Sequence, residues 1–187
     1  MRLDSKDIAL TSVFASLYAV LVIVQGLSAA ATIQLRFADS LIPLSALFGW
    51  PAIFGVSLGC VVGNTYTSAA MPNGAYDIAF GPIANLIAAT IIYVLRNRRL
   101  IGCIIGSTVI GLIVGSYLWA IFGPPKDVFG FELPTSWPFW AASVVSITVS
   151  SLIAISIIGY ILMTILSKPS ILGALKSKGL KVAVENK

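Results

Sequence analysis

Few ionisable residues interrupt the long apolar stretches of this chain, and Arg36, Asp39 and Asp77 are the strongest candidates for chemistry among them. An ionisable group within a hydrophobic segment is costly and commonly marks a functional site. Carboxylates, amides and a guanidinium at one level can hydrogen-bond a polar, planar ligand. The other polar side chains expected near that level are Gln34, Asn64, Tyr76 and Asn85. The pattern therefore predicts a ligand-binding site.

Each ionisable residue also has a purely structural interpretation. Arg36 and Asp39 are three residues apart, so on a helix they would share one face and could form an ion pair. Asp77 begins an apolar segment, where a carboxylate can cap a helix by accepting hydrogen bonds from free backbone amides. Both interpretations stay open beside the ligand site.

The composition excludes several other kinds of chemistry. The chain has no histidine, and Cys60 and Cys103 are isolated in apolar stretches, which excludes a zinc site and a Ser-His-Asp triad. No glycine-rich GxxxxGK[ST] loop is present to hold a nucleotide phosphate. We therefore predict that the protein is not an enzyme, uses no cofactor or metal, and cannot drive ATP-dependent work by itself.

The elements that must position these residues are membrane-spanning helices. Hydrophobic residues make up 58% of the 187 residues and charged residues only 10%, too few polar groups to cover a globular domain of this size. Apolar runs long enough to cross a hydrocarbon core of about 30 Å follow one another along the chain. They predict an all-α integral membrane protein, a single domain over 1–187 with a basic tail at 167–187. The six predicted transmembrane helices are 6–28, 32–48, 52–68, 77–95, 100–122 and 139–166.

The basic residues are distributed unevenly between the two ends of these helices. With six spans, both termini lie on the same side as the second–third and fourth–fifth connections. That side holds ten of the twelve Lys and Arg residues, and the other side holds only Arg36 and Lys126. Because cytoplasmic segments carry an excess of Lys and Arg, both termini are expected in the cytoplasm. The net charge of +5 then needs no nucleic-acid partner to explain it.

Two groups of side chains near the last helix are further candidates for ligand contacts. Ser143, Ser146 and Ser150 fall on one stripe of that helix, where serines more often join helices than bind ligands. Trp137 and Trp140 lie at its start, where they could form an interfacial belt or a wall that stacks on a flat heterocycle. The long connection before them is a candidate lid over an outward cavity.

Small residues predict the packing faces. Gly55, Gly59 and Gly63 form a continuous groove along the third helix, and two similar glycine pairs occur in the fifth. Such spacings allow close packing between helices. The first helix has a flat small-residue face in its predicted cytoplasmic half. The residues of that face are Ser12, Ala15, Ser16 and Ala19.

The same residues carry a resemblance to a known family. The stretch Ile33-Gln-Leu-Arg-Phe-Ala-Asp-Ser-Leu41 is similar to a signature of the QueT family. Further matches are Gly59-Cys60 with Asn64, and Tyr76-Asp-Ile-Ala-Phe-Gly81 leading to Tyr93-Val-Leu-Arg96. The resemblance covers residues 8–99 well and the last two helices loosely.

The QueT family comprises S components, the substrate-binding subunits of energy-coupling-factor (ECF) transporters. The resemblance implies a six-helix S-component fold with an outward-facing pocket, and a 7-deazaguanine queuosine precursor as the ligand. It also implies two kinds of partner in the cytoplasmic membrane. A transmembrane T component would dock on the AxxxA motif of Ala15 and Ala19, and two cytoplasmic ATPase subunits would supply the energy.

Two departures from the family bear on the ligand. The connection before the last helix is longer than in bacterial members, and serines and aliphatic residues near Ser146 replace a Gly-Glu pair common there. An aminomethyl cation would gain from an extra carboxylate, whereas a neutral nitrile would not, so the cyano base is favoured. Two alternatives remain open on the sequence: an S component or transporter for another vitamin-like heterocycle, and a structural or assembly protein that has no ligand.

Overall fold

The computed structural model of this chain describes residues 4–27, 35–123, 125, 127–128, 131–134, 136–180 and 182–183. These residues form a helical bundle with one short hairpin. The long helices are α1 (Ser5–Leu27), α3 (Trp50–Ser68), α4 (Gly74–Val94), α5 (Arg99–Phe122) and α6 (Phe139–Ser151), which continues through a π-helical segment (Leu152–Gly159) into α7 (Tyr160–Leu166). The shorter elements are a 3-10 helix (Phe37–Leu44), α2 (Ser45–Phe48), a 3-10 turn (Arg96–Arg98), the antiparallel strands β1 (Asp127–Val128) and β2 (Phe131–Glu132), and α8 (Pro169–Ser177).

The described residues include four helices that are long and apolar enough to cross a membrane. Their bounds are Ser5–Gln25, Gly74–Val94, Arg96–Phe122 and Phe139–Leu166. These agree with the first, fourth, fifth and sixth predicted helices to within a few residues. The described residues are therefore mostly helical, and these four helices have the length and composition of membrane spans, as the sequence predicts.

The second predicted helix differs most from its expected form. Arg36 has an extended backbone, and the chain becomes helical only at Phe37, first as a 3-10 helix and then as the four residues of α2. Pro43 lies inside the 3-10 helix, where its missing N–H and its ring oppose a regular α-helix. Gly49 ends the element with a positive φ of 62°, a conformation that favours glycine. The first residues of the predicted helix, 32–34, lie outside the described residues.

Hydrogen bonds at one end of the bundle join segments that are far apart in sequence. The backbone N–H of Ala183 donates to the carbonyl of Leu47 at 2.6 Å. The Arg99 guanidinium donates to the Ser167 hydroxyl at 2.7 Å. The end of α2, the start of α5 and the chain after α7 therefore lie together.

The connections from α3 to α4 and from α5 to α6 lie at the opposite end of the bundle. The Asn73 side chain, just before α4, donates to the carbonyl of Ala120 near the end of α5 at 3.1 Å. The rings of Trp119 and Phe139 lie 6.3 Å apart, so the start of α6 meets the end of α5. The α3–α4 and α5–α6 connections therefore lie at this end of the bundle, opposite the α4–α5 connection.

The glycine grooves are close-packing faces, as predicted. A Cβ added to Gly59 would lie 2.5 Å from the carbonyl oxygen of Ala15 and 2.7 Å from the Tyr18 Cβ, so α1 and α3 are in backbone contact. In α5, Gly111 lies directly against Thr148 of α6. These contacts need a residue without a side chain.

Two features of the C-terminal third are absent from the sequence prediction. The last long helix contains a π-helical segment, and the Ser107 hydroxyl on α5 contacts the Ser151 carbonyl and the Ser156 hydroxyl beside it, at 3.1 and 3.0 Å. The basic tail contains α8, which begins at Pro169 and buries Leu172. Proline suits the first turn of a helix because its missing N–H is not needed there.

Candidate ligand-binding site

Arg36 lies at the entrance to the 3-10 helix and joins it to the rest of the bundle. Its Nη2 is 2.5 Å from the Asn64 side-chain oxygen on α3 and 3.9 Å from Oδ2 of Asp77 on α4. The Arg36 side chain is 26% exposed, whereas that of Asp77 is 3% exposed. Arg36 is therefore the charged group of this pair that a molecule arriving at the site could contact.

Asp77 accepts hydrogen bonds from side chains of two other helices. Its Oδ2 accepts from the Ser68 hydroxyl at the end of α3 at 2.9 Å, and its Oδ1 from the Tyr117 hydroxyl on α5 at 3.0 Å. The helix that carries it begins at Gly74, and Asn73 occupies the N-cap position. The interpretation of Asp77 as a helix cap is therefore wrong, because its carboxylate bonds to side chains and a guanidinium instead.

Asn64 is fully buried and holds Arg36 and Asp77 together. Its oxygen accepts from Arg36, and its Nδ2 donates to the Asp77 backbone carbonyl at 2.8 Å. Gly81, one turn along α4, leaves the space that this amide fills, because an added Cβ there would lie 2.6 Å from Asn64 Nδ2. The Asn64 amide is thus fixed from both sides.

Asp39 is attached to α1. It is 3% exposed, and its Oδ1 accepts a hydrogen bond from the Tyr18 hydroxyl at 2.5 Å. Among the described residues the ion pair of Arg36 is with Asp77, so the predicted Arg36–Asp39 pair is wrong. The reason is local: Arg36 precedes the helix in an extended conformation, so the three-residue helical spacing does not apply to it.

The described segment before Asp39 is also held by α1. The Gln25 side chain donates through Nε2 to the Leu35 carbonyl and accepts at Oε1 from the Phe37 backbone N–H at 3.0 Å. An amide has both a donor and an acceptor group, so one side chain satisfies both backbone groups. Gln25 thereby fixes the backbone on either side of Arg36.

These contacts define a polar network of Tyr18, Arg36, Asp39, Asn64, Ser68, Asp77 and Tyr117 within an apolar bundle. It contains one guanidinium, two carboxylates, one amide and three hydroxyls. Such a set can donate to and accept from the edge of a polar heterocycle. It contains no group that performs covalent chemistry in a recognised arrangement.

The structure brings together only part of the predicted site. Arg36, Asp39, Asn64 and Asp77 belong to the network, while Gln34 lies outside the described residues. Asn85 is buried further along α4, where its Nδ2 is 3.5 Å from the Val56 carbonyl on α3. That contact joins two helices and does not reach the network.

Five other predicted contacts lie apart from the network. Tyr76 is half exposed and stacks on Phe80, with ring centroids 6.3 Å apart. Among the described residues, no hydrogen bond joins the network to Ser143, Ser146, Trp137 or Trp140. The two serines are buried and the two tryptophans are exposed.

Four members of the site were absent from the sequence prediction. They are Tyr18, Gln25, Ser68 and Tyr117. Gln25 and Ser68 lie near helix ends, and Tyr18 and Tyr117 lie within apolar helices. The sequence around each residue therefore gives no sign of its hydrogen-bond partner. A polar side chain on the buried face of a membrane helix was the one usable signal, and it applies to Tyr18.

The predicted docking face of α1 divides into two parts. Ser12 and Ser16 are exposed, Ala15 is half-buried, and Ala19 is buried. Ala15 also lies against Gly59 of α3. The serines are therefore the members of this face that a partner helix could reach without displacing α3.

The structure thus combines helices of membrane-spanning length with a buried polar network between them. The chain belongs to the QueT transporter family, whose model matches residues 8–168. No curated protein and no solved structure matches the chain.

Proposed function

We propose that this chain is the substrate-binding S component of an ECF-type importer for a 7-deazaguanine precursor of queuosine or archaeosine. The observation that supports it most directly is the buried network around Arg36 and Asp77 in a chain of the QueT transporter family. Burying two carboxylates and a guanidinium in an apolar bundle is costly. A polar ligand that uses these groups gives a reason to retain them.

The groups of the network suit the edge of a guanine-type base. Such an edge presents adjacent N–H donors and a carbonyl, and a carboxylate can accept two N–H donors in a fork. Asp39 and Asp77 would accept the donors, and Arg36 or Asn64 would meet the carbonyl. At Asp77 the ligand's N–H groups would replace the Ser68 and Tyr117 hydroxyls as donors, whereas Asp39 would keep the hydrogen bond from Tyr18 at Oδ1 and accept from the ligand through its other oxygen.

The aromatic side chains beside Asp77 would hold the face of the base. Phe80 is 44% exposed, and its ring centroid is 6.0 Å from that of Tyr117, whose hydroxyl bonds to Asp77. Offset or tilted aromatic contacts at such distances are favourable. A planar ligand entering beside Arg36 could stack on this pair while its edge meets the carboxylates.

Transport would require partner subunits. The S component has no nucleotide-binding loop, so two cytoplasmic ATPases acting through a T component would supply the energy. The T component would contact the exposed part of α1 at Ser12 and Ser16. The protein would lie in the cytoplasmic membrane with six spans and both termini in the cytoplasm, and would release its ligand by tilting within the membrane.

Binding of the purified protein to a panel of heterocycles tests this function. We expect 7-cyano-7-deazaguanine to bind best in calorimetry, with 7-aminomethyl-7-deazaguanine weaker and guanine weaker still. Tighter binding of a flavin or another vitamin would assign the site to a different heterocycle. Absence of binding to every compound, in protein that is folded and monodisperse, would favour a role without a ligand.

The membrane orientation is tested by cysteine labelling. A cysteine at exposed Asn97 or Lys178 should react with an impermeant maleimide only from the cytoplasm, and one at Met71 only from outside. The native Cys60 and Cys103 are buried, so background labelling should be low. Labelling of Met71→Cys and Lys178→Cys from the same side would contradict the six-span arrangement.

A further inference from the structure

The helix α1 contacts the ligand site through two hydrogen-bonding side chains. Tyr18 donates to Asp39, and Gln25 bonds to the backbone at Leu35 and Phe37. These contacts lie on both sides of Arg36, two turns apart on α1. One helix therefore holds both ends of the described segment that carries two charged groups of the site.

The position of α1 is itself fixed. Its backbone lies against the glycine groove of α3, where a Cβ added to Gly59 would be 2.7 Å from the Tyr18 Cβ. Tyr18 is 0% exposed, so its ring has no room for another orientation without movement of a neighbour. Since α3 also carries Asn64, the hydroxyl of Tyr18 and the amide of Asn64 are held in a constant relation.

The segment held by α1 has little regular α-helical structure of its own to stabilise it. Arg36 has an extended backbone, and the element that follows is a 3-10 helix containing Pro43. Hydrogen bonds in a 3-10 helix are poorer than in an α-helix, so such elements depend on their surroundings. Side chains from α1 supply that support at Asp39 and at the backbone before it.

We propose that Tyr18 and Gln25 are positioning residues of the ligand site, which orient Asp39 and the Arg36 backbone for binding. The inference rests on the proposed function, because it assumes that the ligand contacts Asp39 or Arg36. It adds that ligand affinity depends on α1, the same helix that carries the exposed Ser12 and Ser16. A movement of the site is therefore transmitted to α1, and a displacement of α1 alters the geometry of the site.

The first test compares Tyr18→Phe with Tyr93→Phe, a matched change near the C-terminal end of α4, at the opposite end of that helix from Asp77. The probes are 7-cyano- and 7-aminomethyl-7-deazaguanine, measured by calorimetry. Tyr18→Phe removes only a hydroxyl, and we expect it to weaken binding by about tenfold, which is 1.4 kcal/mol. In an Asp39→Asn background, Tyr18→Phe should weaken binding further by less than about threefold, because Tyr18 acts through the Asp39 carboxylate. Unchanged affinity, or losses that multiply in the double variant, would overturn the proposal.

The second test needs no ligand. Hydrogen exchange in the ligand-free protein should be faster at the backbone amides of residues 37–44 in Tyr18→Phe and in Gln25→Leu, and unchanged in Tyr93→Phe. Equal exchange rates in all variants would overturn the positioning role. If neither base binds the wild-type protein while exchange is accelerated, the proposed ligand has failed and the positioning of this segment by α1 stands.

Discussion

Asparagine in place of Asp77 is expected to weaken binding of a 7-deazaguanine base by about tenfold or more, a loss of at least about 1.4 kcal/mol. The substitution keeps one oxygen to accept from Tyr117 or Ser68 but removes the charge that faces Arg36 at 3.9 Å. It also replaces an acceptor of the ligand's N–H groups with a donor. Calorimetry of the purified variant measures the effect.

Two companion variants make this result interpretable. Asp39→Asn keeps an oxygen that can accept from the Tyr18 hydroxyl, but it removes the charge and replaces the other oxygen with a donor, so it should weaken binding by a similar factor with less effect on folding. Asp7→Asn is the control, because Asp7 caps the start of α1 through the Asp4 backbone N–H, outside the network. Wild-type affinity in both site variants, with melting temperatures close to that of the control, would show that the carboxylates do not bind the ligand.

Tryptophan in place of Ser16 is expected to abolish co-purification with the T component while leaving ligand binding within about threefold of the wild type. Ser16 is exposed on the small-residue face of α1, where an indole would prevent close approach of a partner helix. Ala19 is a poorer test, because it is 7% exposed and a tryptophan there would collide with the bundle itself.

Leu17→Trp is the matched control for the docking experiment. Leu17 is 49% exposed and lies about 100° around the helix from Ser16, on the side away from the small-residue face. It should co-purify with the partner subunits at close to wild-type yield. Normal assembly of Ser16→Trp, or loss of assembly in both variants, would contradict docking through this face.

The site was predicted only in part because sequence spacing gives local geometry alone. Arg36 and Asp39 looked like an ion pair on one helical face, but Arg36 precedes the helix and its partner is Asp77, on another helix. Likewise, Asp77 looked like a cap because it lies near a helix start. Its bonds to Ser68 and Tyr117 depend on how α3, α4 and α5 meet, which no local pattern encodes.

The sequence by itself determined the class of protein, the positions of its long helices and the faces through which some of them pack. Lipid can accommodate only segments that satisfy their own backbone groups, so long apolar runs must become helices, and glycines at four-residue spacing permit close contact. The QueT signature around Arg36 likewise identified the family that the comparison over residues 8–168 confirms.

Only the tertiary structure decided which polar groups meet. Three helices far apart in sequence supply these groups: Tyr18 and Gln25 lie on α1, Asn64 on α3 and Tyr117 on α5. Their hydrogen bonds depend on the depth and rotation of each helix in the bundle. The same packing allows a 3-10 helix and a π-helical segment to lie in contact, with Gly159 against Pro43. Hydrophobic pattern sets where a helix begins and ends, whereas side-chain partners follow from contacts between helices, and those are properties of the whole fold.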